Sequence, residues 1–309
     1  MEEKTRLLQS AISTANNQGI NPRFTNYGEH VAYALACNHQ PGEDILQMDI
    51  ANFSTIQEVY NNRFPELRMW HANTPSALFH ALSDRSSEGS WRAVVRLSAN
   101  GQHHVAVDVR TRYGAAPSVI VMEPAAMHTY MPDYWAFMGE AKSTLPGDVQ
   151  LAFIEVGAQK SPADCVMFGM GFALGAFQKS ELFDNWHNNL HRRGTLEGEQ
   201  ENPEDFCASP DVLLETAGIK RFSGTKLLPP LFYKHTQSRS VLQDLDKDQP
   251  GSEEKDVSTS VRDRKSETLG ERIREFAVER DERRYSASIE TFRATKIRTT
   301  LSRMGRRSG

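Results

Sequence analysis

The 309-residue sequence predicts a mixed α/β (α+β) fold, and three observations carry that prediction. Apolar residues recur at helical spacing over 43–60. β-Branched runs at 91–97 and 103–113 flank an Asn100-Gly101 pair, a strong hairpin signal. A continuous apolar run over 165–177 is too long for most strands and reads as a buried helix.

Taken in order, residues 1–28 are polar, rich in Asn, Gln, Ser and Thr, and read as a mobile leader, with ordered protein beginning near Glu29. The stripe of Ile45, Leu46, Met48, Ile50, Phe53, Ile56 and Val59 then gives an amphipathic helix. Thr74-Pro75 supplies a cap and a first-turn proline for a second helix ending near Ser83. The hairpin follows, then a short β-branched run over 118–122 suited to a buried central strand, closed by Glu123. The segment 130–143 is interrupted and has room for a helix, and 149–156 is a fourth strand.

Beyond residue 180 the chain is more polar. Residues 244–260 read as a charged linker, and 261–307 as a basic helical segment. The expected organisation is therefore a leader (1–28), a core (29–180) and a partly separate helical region (181–309).

A net charge of −4 gives no overall field toward nucleic acid or an anionic membrane, so no nucleic-acid requirement is expected. No run approaches the ~18 apolar residues of a membrane span. The start, Met1-Glu2-Glu3-Lys4, lacks both a Sec-type signal and a myristoylation glycine. Three cysteines, Cys37, Cys165 and Cys207, have neither metal-ligand nor framework spacing, which points to a reducing compartment and a functional thiol rather than a disulfide scaffold or metal site.

Cys165 stands where the loop Gln159-Lys160-Ser161-Pro162-Ala163-Asp164 feeds into the long apolar helix. Backbone N–H groups and the macrodipole at a helix start favour a thiolate over a thiol. The Gln159 amide is placed to donate to an oxyanion. A thiolate nucleophile needs a base, and the base needs an orienting acceptor. His103 and Glu123, at the start and end of adjacent strands, fit those roles. Val105, Val107 and Val109 put odd positions on the buried face while Asp108 and Arg110 mark even ones as wetter, so His103 is the favoured base and His104 the alternative. Taken singly, each residue has a structural explanation, from core cysteine to solvated glutamate. Their joint occurrence points to thioester chemistry on Cys165.

These residues resemble the YopJ family of bacterial type III secreted effectors, and more closely its HopZ-like branch. The resemblance runs through Asn61-Asn62-Arg63-Phe64-Pro65-Glu66-Leu67, Asn73-Thr74-Pro75, the strand from His103 to Asp108, Glu123-Pro124-Ala125 and the Gln159 to Phe168 stretch. It continues in Phe232-Tyr233-Lys234-His235 and Tyr285-Ser286-Ala287-Ser288-Ile289-Glu290. It implies a cysteine-peptidase-like (Ulp/adenain type) catalytic core. Many such peptidases carry glycine after the nucleophile; here Val166 follows Cys165, which weakens a protease reading.

The resemblance further implies acetyl-coenzyme A as co-substrate, an acetyl-cysteine intermediate, and Ser, Thr or Lys acceptors on host kinases or immune-related proteins. It also implies secretion into the host cytoplasm or nucleus, with the polar leader as a compatible secretion signal. Lys234 corresponds to a self-acetylated position. Inositol hexakisphosphate is the implied activator, with Arg272, Arg274, Arg293 and Lys296 as its candidate ligands and Arg283, Arg284 and Arg298 as further basic residues. The rivals are a cysteine protease or ubiquitin-like-protein isopeptidase, and a non-catalytic effector that binds host proteins.

Overall fold

The computed structural model describes residues 2–84, 88–196, 210–258, 266–280 and 283–305. Its helices are α1 (Glu2–Asn17), α2 (Pro22–Ala36), α3 (Glu43–Arg63), α4 (Pro75–Ser83), α5 (Met131–Thr144), α6 (Cys165–Gln178), α7 (Ser180–Arg193), α8 (Pro210–Ala217), α9 (Gly224–Leu227), α10 (Arg239–Asp248), α11 (Leu269–Glu275) and α12 (Ser288–Met304). The strands are β1 (Met69–Ala72), β2 (Gly89–Arg96), β3 (His104–Thr111), β4 (Ser118–Glu123), β5 (Gln150–Glu155), β6 (Arg221–Ser223), β7 (Ala277–Arg280) and β8 (Arg283–Ser286).

Strands β1 to β6 form one sheet in sequence order, antiparallel through β2, β3 and β4 and parallel at β1–β2, β4–β5 and β5–β6. Alternation sorts each strand between two cores. Val105, Val107, Val109, Val119 and Val121 face α4, α5 and α8, while Ala106, Ile120 and Met122 face α6 and the terminal helices. With helices on both faces, the central strands read as continuous apolar runs. Helix α4 starts as its sequence dictates, Thr74 Oγ1 accepting the Ala77 N–H at 3.2 Å ahead of Pro75.

Four expectations of the chain's organisation are corrected. The leader is helical: α1 and α2 bury Leu8, Ile12, Phe24 and Tyr27 and pack against each other and α12. The apolar stripe of α1 is narrow, Leu8, Ile12 and Ala15 among polar residues, so composition concealed it. Gly28 admits the close approach, since a Cβ there would lie 3.1 Å from Ile12 and 3.3 Å from Ile297. The expected linker, 244–260, is ordered through residue 258: it contains the end of α10, a 3-10 turn at Ser252–Glu254, and buried Leu245 and Val257. Residues 259 and 260 lie outside the described ones. The basic segment after 261 is a short helix, a β7–β8 hairpin and α12, not one helical stretch. The proposed boundary at 180 also cuts the sheet, because β6 joins β5 from the later part of the chain.

The even positions of β3 are not wet. Asp108 and Arg110 are buried in an ion cluster, Asp108 lying 2.7 Å from Arg92 Nε, 2.5 Å from Arg110 Nη1 and 2.9 Å from His187 Nε2. Mutual pairing makes such burial tolerable.

Because Leu8 is fully buried, Leu8→Ala should cost about 2–5 kcal/mol. Urea unfolding of the full chain would show a lower midpoint. An unchanged midpoint would return 1–28 to the status of a loose leader.

Candidate active site

Strand register brings the first pair of residues together. Ala106 pairs with Met122, so Glu123 and His103 fall on the same face as diagonal neighbours, within reach of long side chains. His103 Nε2 lies 2.8 and 2.9 Å from the two Glu123 oxygens. The carboxylate also accepts the Ala125 N–H at 2.7 Å and the Tyr134 hydroxyl at 2.5 Å, and it is fully buried. Tyr130 stacks on the His103 ring, centroids 3.5 Å apart and planes 5° from parallel. Burial pushes the imidazole down, but the Glu123 carboxylate and then Cys165 outweigh it and raise His103 to about 10. The resting pair is an imidazolium and a carboxylate.

Cys165 is the first residue of α6 and is fully buried. Its thiol points at the Gln102 carbonyl, 3.7 Å away, and lies 3.9 Å from His104 Nδ1. Nδ1 of His103 is buried without a hydrogen-bond partner, so its contact with the sulfur is not an aligned hydrogen bond. Such contacts are often loose before substrate arrives.

The histidine question turns on tautomers. His104 Nδ1 is 2.7 Å from the Gln102 carbonyl, to which only an N–H can donate. Burial, then neighbouring His71, depress His104 to about 3, so it is neutral and presents an N–H rather than a lone pair toward the sulfur. Strand parity puts His104 on the α6 face and His103 on the Glu123 face.

Gln159 is buried on the loop before α6, its N–H bonded to Pro124 O at 2.7 Å and its side-chain amide donating to Ser161 O at 2.5 Å. Gln237 holds the same loop, its Oε1 accepting the N–H groups of Lys160 and Ser161 at 2.8 and 2.9 Å.

Of the basic residues, Arg272 and Lys296 come together with Lys234 and Lys4, all four acting electrostatically on buried His235. Burial, then Lys296 and Arg272, lower Lys234 to about 7. Arg272 lies over the Phe276 ring, with Lys4 on the same ring, and Lys296 lies 4.4 Å over Phe292. Arg274, two residues along a helix and so on another face, lines a separate cleft of about 290 Å³ with Arg239, Glu253 and Tyr285. Arg293 corrects the expectation outright: it is 1% exposed and engages Asp49 and Asp164 internally, leaving it unsuited to a surface polyanion. The side chains of Arg283 and Arg284 lie outside the described residues.

Tyr130, Tyr134, the Gln102 carbonyl and Asp49 are site neighbours that sequence reasoning missed. Only the i, i+4 spacing of the two tyrosines at the start of α5 hinted at a shared face.

Burial with the Arg96 charge holds His71 at about 4, and His104 is held at about 3. Both depressed imidazoles stabilise the fold fully above their unfolded value near pH 6.5, and that contribution is lost as pH falls through about 4 and 3. Raised His103 works the other way, its contribution complete below about 6.5 and lost as pH rises through 10. Melting temperature measured against pH should therefore drop below about 6.5, less steeply in His71→Gln. Parallel acid limbs in the two proteins would contradict this assignment.

Comparison with known proteins joins these observations. The profile of the YopJ serine/threonine acetyltransferase family matches residues 24–299. A serine/threonine-protein acetyltransferase of Sinorhizobium fredii is 48% identical over 206 residues, covering 67% of this chain and 79% of that protein. The serine/threonine-protein acetyltransferase HopZ1a of Pseudomonas syringae is 28% identical over 299 residues, covering 89% of this chain and 80% of HopZ1a. The crystal structure of HopZ1a in complex with IP6 superimposes with a TM-score of 0.82 at 25% identity, over 98% of each chain. HopZ1a with IP6 and CoA gives 0.81 at the same identity and coverage. AvrA with IP6 and CoA shares the fold at a TM-score of 0.69 and 20% identity, covering 90% of this chain and 97% of AvrA. Family profile, relatives and superimposed fold thus agree, and the chain belongs to the YopJ serine/threonine acetyltransferase family.

Proposed function

We propose that Cys165 takes the acetyl group of acetyl-coenzyme A as a thioester and passes it to a hydroxyl or amine of a host protein. The observation that carries this reading is the buried His103–Glu123 contact at the start of the cysteine-bearing helix. His103, protonated at rest, already holds the proton of the Cys165 thiol, and the sulfur attacks the acetyl carbonyl as the thiolate. The Gln159 amide donates to the oxyanion, and coenzyme A leaves with a proton from His103. In the second half the now neutral His103 takes the proton of the acceptor hydroxyl, whose oxygen attacks the acetyl-cysteine and releases the Cys165 thiolate, restoring the resting imidazolium. Glu123 fixes the imidazole and balances its charge in both halves.

The basic cluster fits inositol hexakisphosphate. Lys234, Arg272 and Lys296 would hold it: burial first, and then the charges of Lys296 and Arg272, lower Lys234, and a clustered polyanion would relieve the repulsive part. The solved HopZ1a complexes with IP6 support that reading. An amine near its midpoint at neutral pH is partly unprotonated and nucleophilic, which supports Lys234 as a self-acetylation site. The protein acts after type III secretion into a host cell, on kinases or immune-related proteins. No helix among the described residues is long and apolar enough to cross a membrane.

Labelled acetyl-coenzyme A with the activator tests the assignment. Cys165→Ala and His103→Ala should abolish transfer while His104→Ala keeps a measurable rate; inactivity of His104→Ala alone would reverse the assignment of the base. Arg272→Glu with Lys296→Glu should weaken activation more than the basal rate, and affinity for the polyanion should fall with salt. Absence of binding at low salt would leave the cluster a solvated face.

A further inference from the structure

We infer that Arg293 is a positioning residue for the reaction: it ties α12 to the residue before Cys165 and neutralises the carboxylate of that residue, Asp164. The inference rests on the reading of Cys165 as the acetyl carrier. Arg293 Nε lies 2.9 and 3.0 Å from the two Asp49 oxygens. Its Nη2 reaches Asp49 at 2.8 Å, Asp164 at 2.7 Å and the Ala163 carbonyl at 3.3 Å. All three charged residues are 1% exposed or less.

Asp164 occupies the capping position of α6 yet makes no capping bond with the helix amides. Its second oxygen accepts from Gln237 Nε2 at 2.8 Å, and Asp49 accepts the Tyr27 hydroxyl at 2.5 Å. The carboxylate next to Cys165 is therefore committed to a guanidinium from the far end of the chain. An uncompensated carboxylate in a buried site opposes formation of a neighbouring thiolate, and a guanidinium placed on it removes that opposition. The bond to the Ala163 carbonyl fixes the backbone that presents Cys165.

Other groups bear on the pair from every side. Around Cys165 stand His103 and Glu123 on one face of the sheet, His104 on the other, and Tyr130 ahead of α5. Around Asp164 and Arg293 stand Asp49, Tyr27 and Glu290, the last paired with Arg280 at 2.7 Å. Among them Asp164 is the carboxylate adjacent in sequence to the thiol, so its charge is the one that Arg293 must cancel.

The test is the pH dependence of Cys165 alkylation by iodoacetamide in the full chain, followed by mass spectrometry of its peptide so that Cys37 and Cys207 do not interfere. Asp49→Asn with Arg293→Gln leaves Asp164 as the uncompensated charge. The midpoint of the rate profile should rise by about one pH unit, about tenfold slower at neutral pH, with the high-pH plateau unchanged. Adding Asp164→Asn should restore the parent profile, which a purely structural role would not do. Superimposed profiles, or a lowered plateau without a shifted midpoint, overturn the inference. Should melting show the multiple variants unfolded, Asp164→Asn alone decides: it keeps the Arg293–Asp49 pair, and its midpoint should fall, whereas an unchanged or raised midpoint overturns the inference. Alkylation requires no acetyl transfer, so this result stands apart from the reading of Cys165 as carrier, which fails if Cys165→Ala still transfers acetyl.

Discussion

Burying the Glu123 carboxylate constrains everything around the site. An ionised carboxylate without water needs donors on each oxygen, and here an imidazole, a backbone N–H and a phenol supply them. Each donor comes from a different place: the mouth of the β2–β3 hairpin, the turn after β4, and α5. The register of β3 on β4 brings His103 within reach, and the stacked Tyr130 leaves its ring little freedom. The carboxylate beside it outweighs the cost of burial and raises the His103 imidazole to about 10, so the ring enters the proposed reaction carrying a proton.

A second constraint is the number of charges drawn into the core. Asp49, Asp164 and Arg293 bind α3, the start of α6 and α12 to one another, while Asp108, Arg92, Arg110 and His187 join the sheet to α7. Removing one member of such a set leaves an uncompensated buried charge, costing about 3–5 kcal/mol. Such pairs specify where helices dock more than they add net stability. Apolar packing does the rest: α1, α2 and α12 share one core with the cysteine-bearing helix.

Elements with an undiluted period were legible in the sequence. Helix α3, the capped start of α4, the Asn-Gly hairpin, β4, β5 and α6 all follow from local chemistry. Where the pattern was sparse, reading failed: four apolar or small positions in α1 looked like a polar leader, and Leu245 and Val257 sat in what composition marked as linker. Among candidate site residues, Cys165, His103, Glu123 and Gln159 lie together, yet the parity argument for His103 rested on wet even positions that are in fact buried and paired. The better reason is that odd parity shares a face with Glu123, which requires the register. Arg293 was misread because a basic residue in a basic segment looks like a polyanion ligand. Its partners lie 244 and 129 residues away, beyond any local signal.

The central claim is that acetyl passes through Cys165. Rapid acid quench of the protein with labelled acetyl-coenzyme A and activator, before acceptor protein is added, tests it directly. The account predicts acetyl on the peptide containing Cys165 at the earliest times, decaying at the rate at which label appears on acceptor when acceptor is chased in. Label reaching acceptor at full rate with none ever trapped on Cys165, under quench conditions that preserve a thioester, would contradict it.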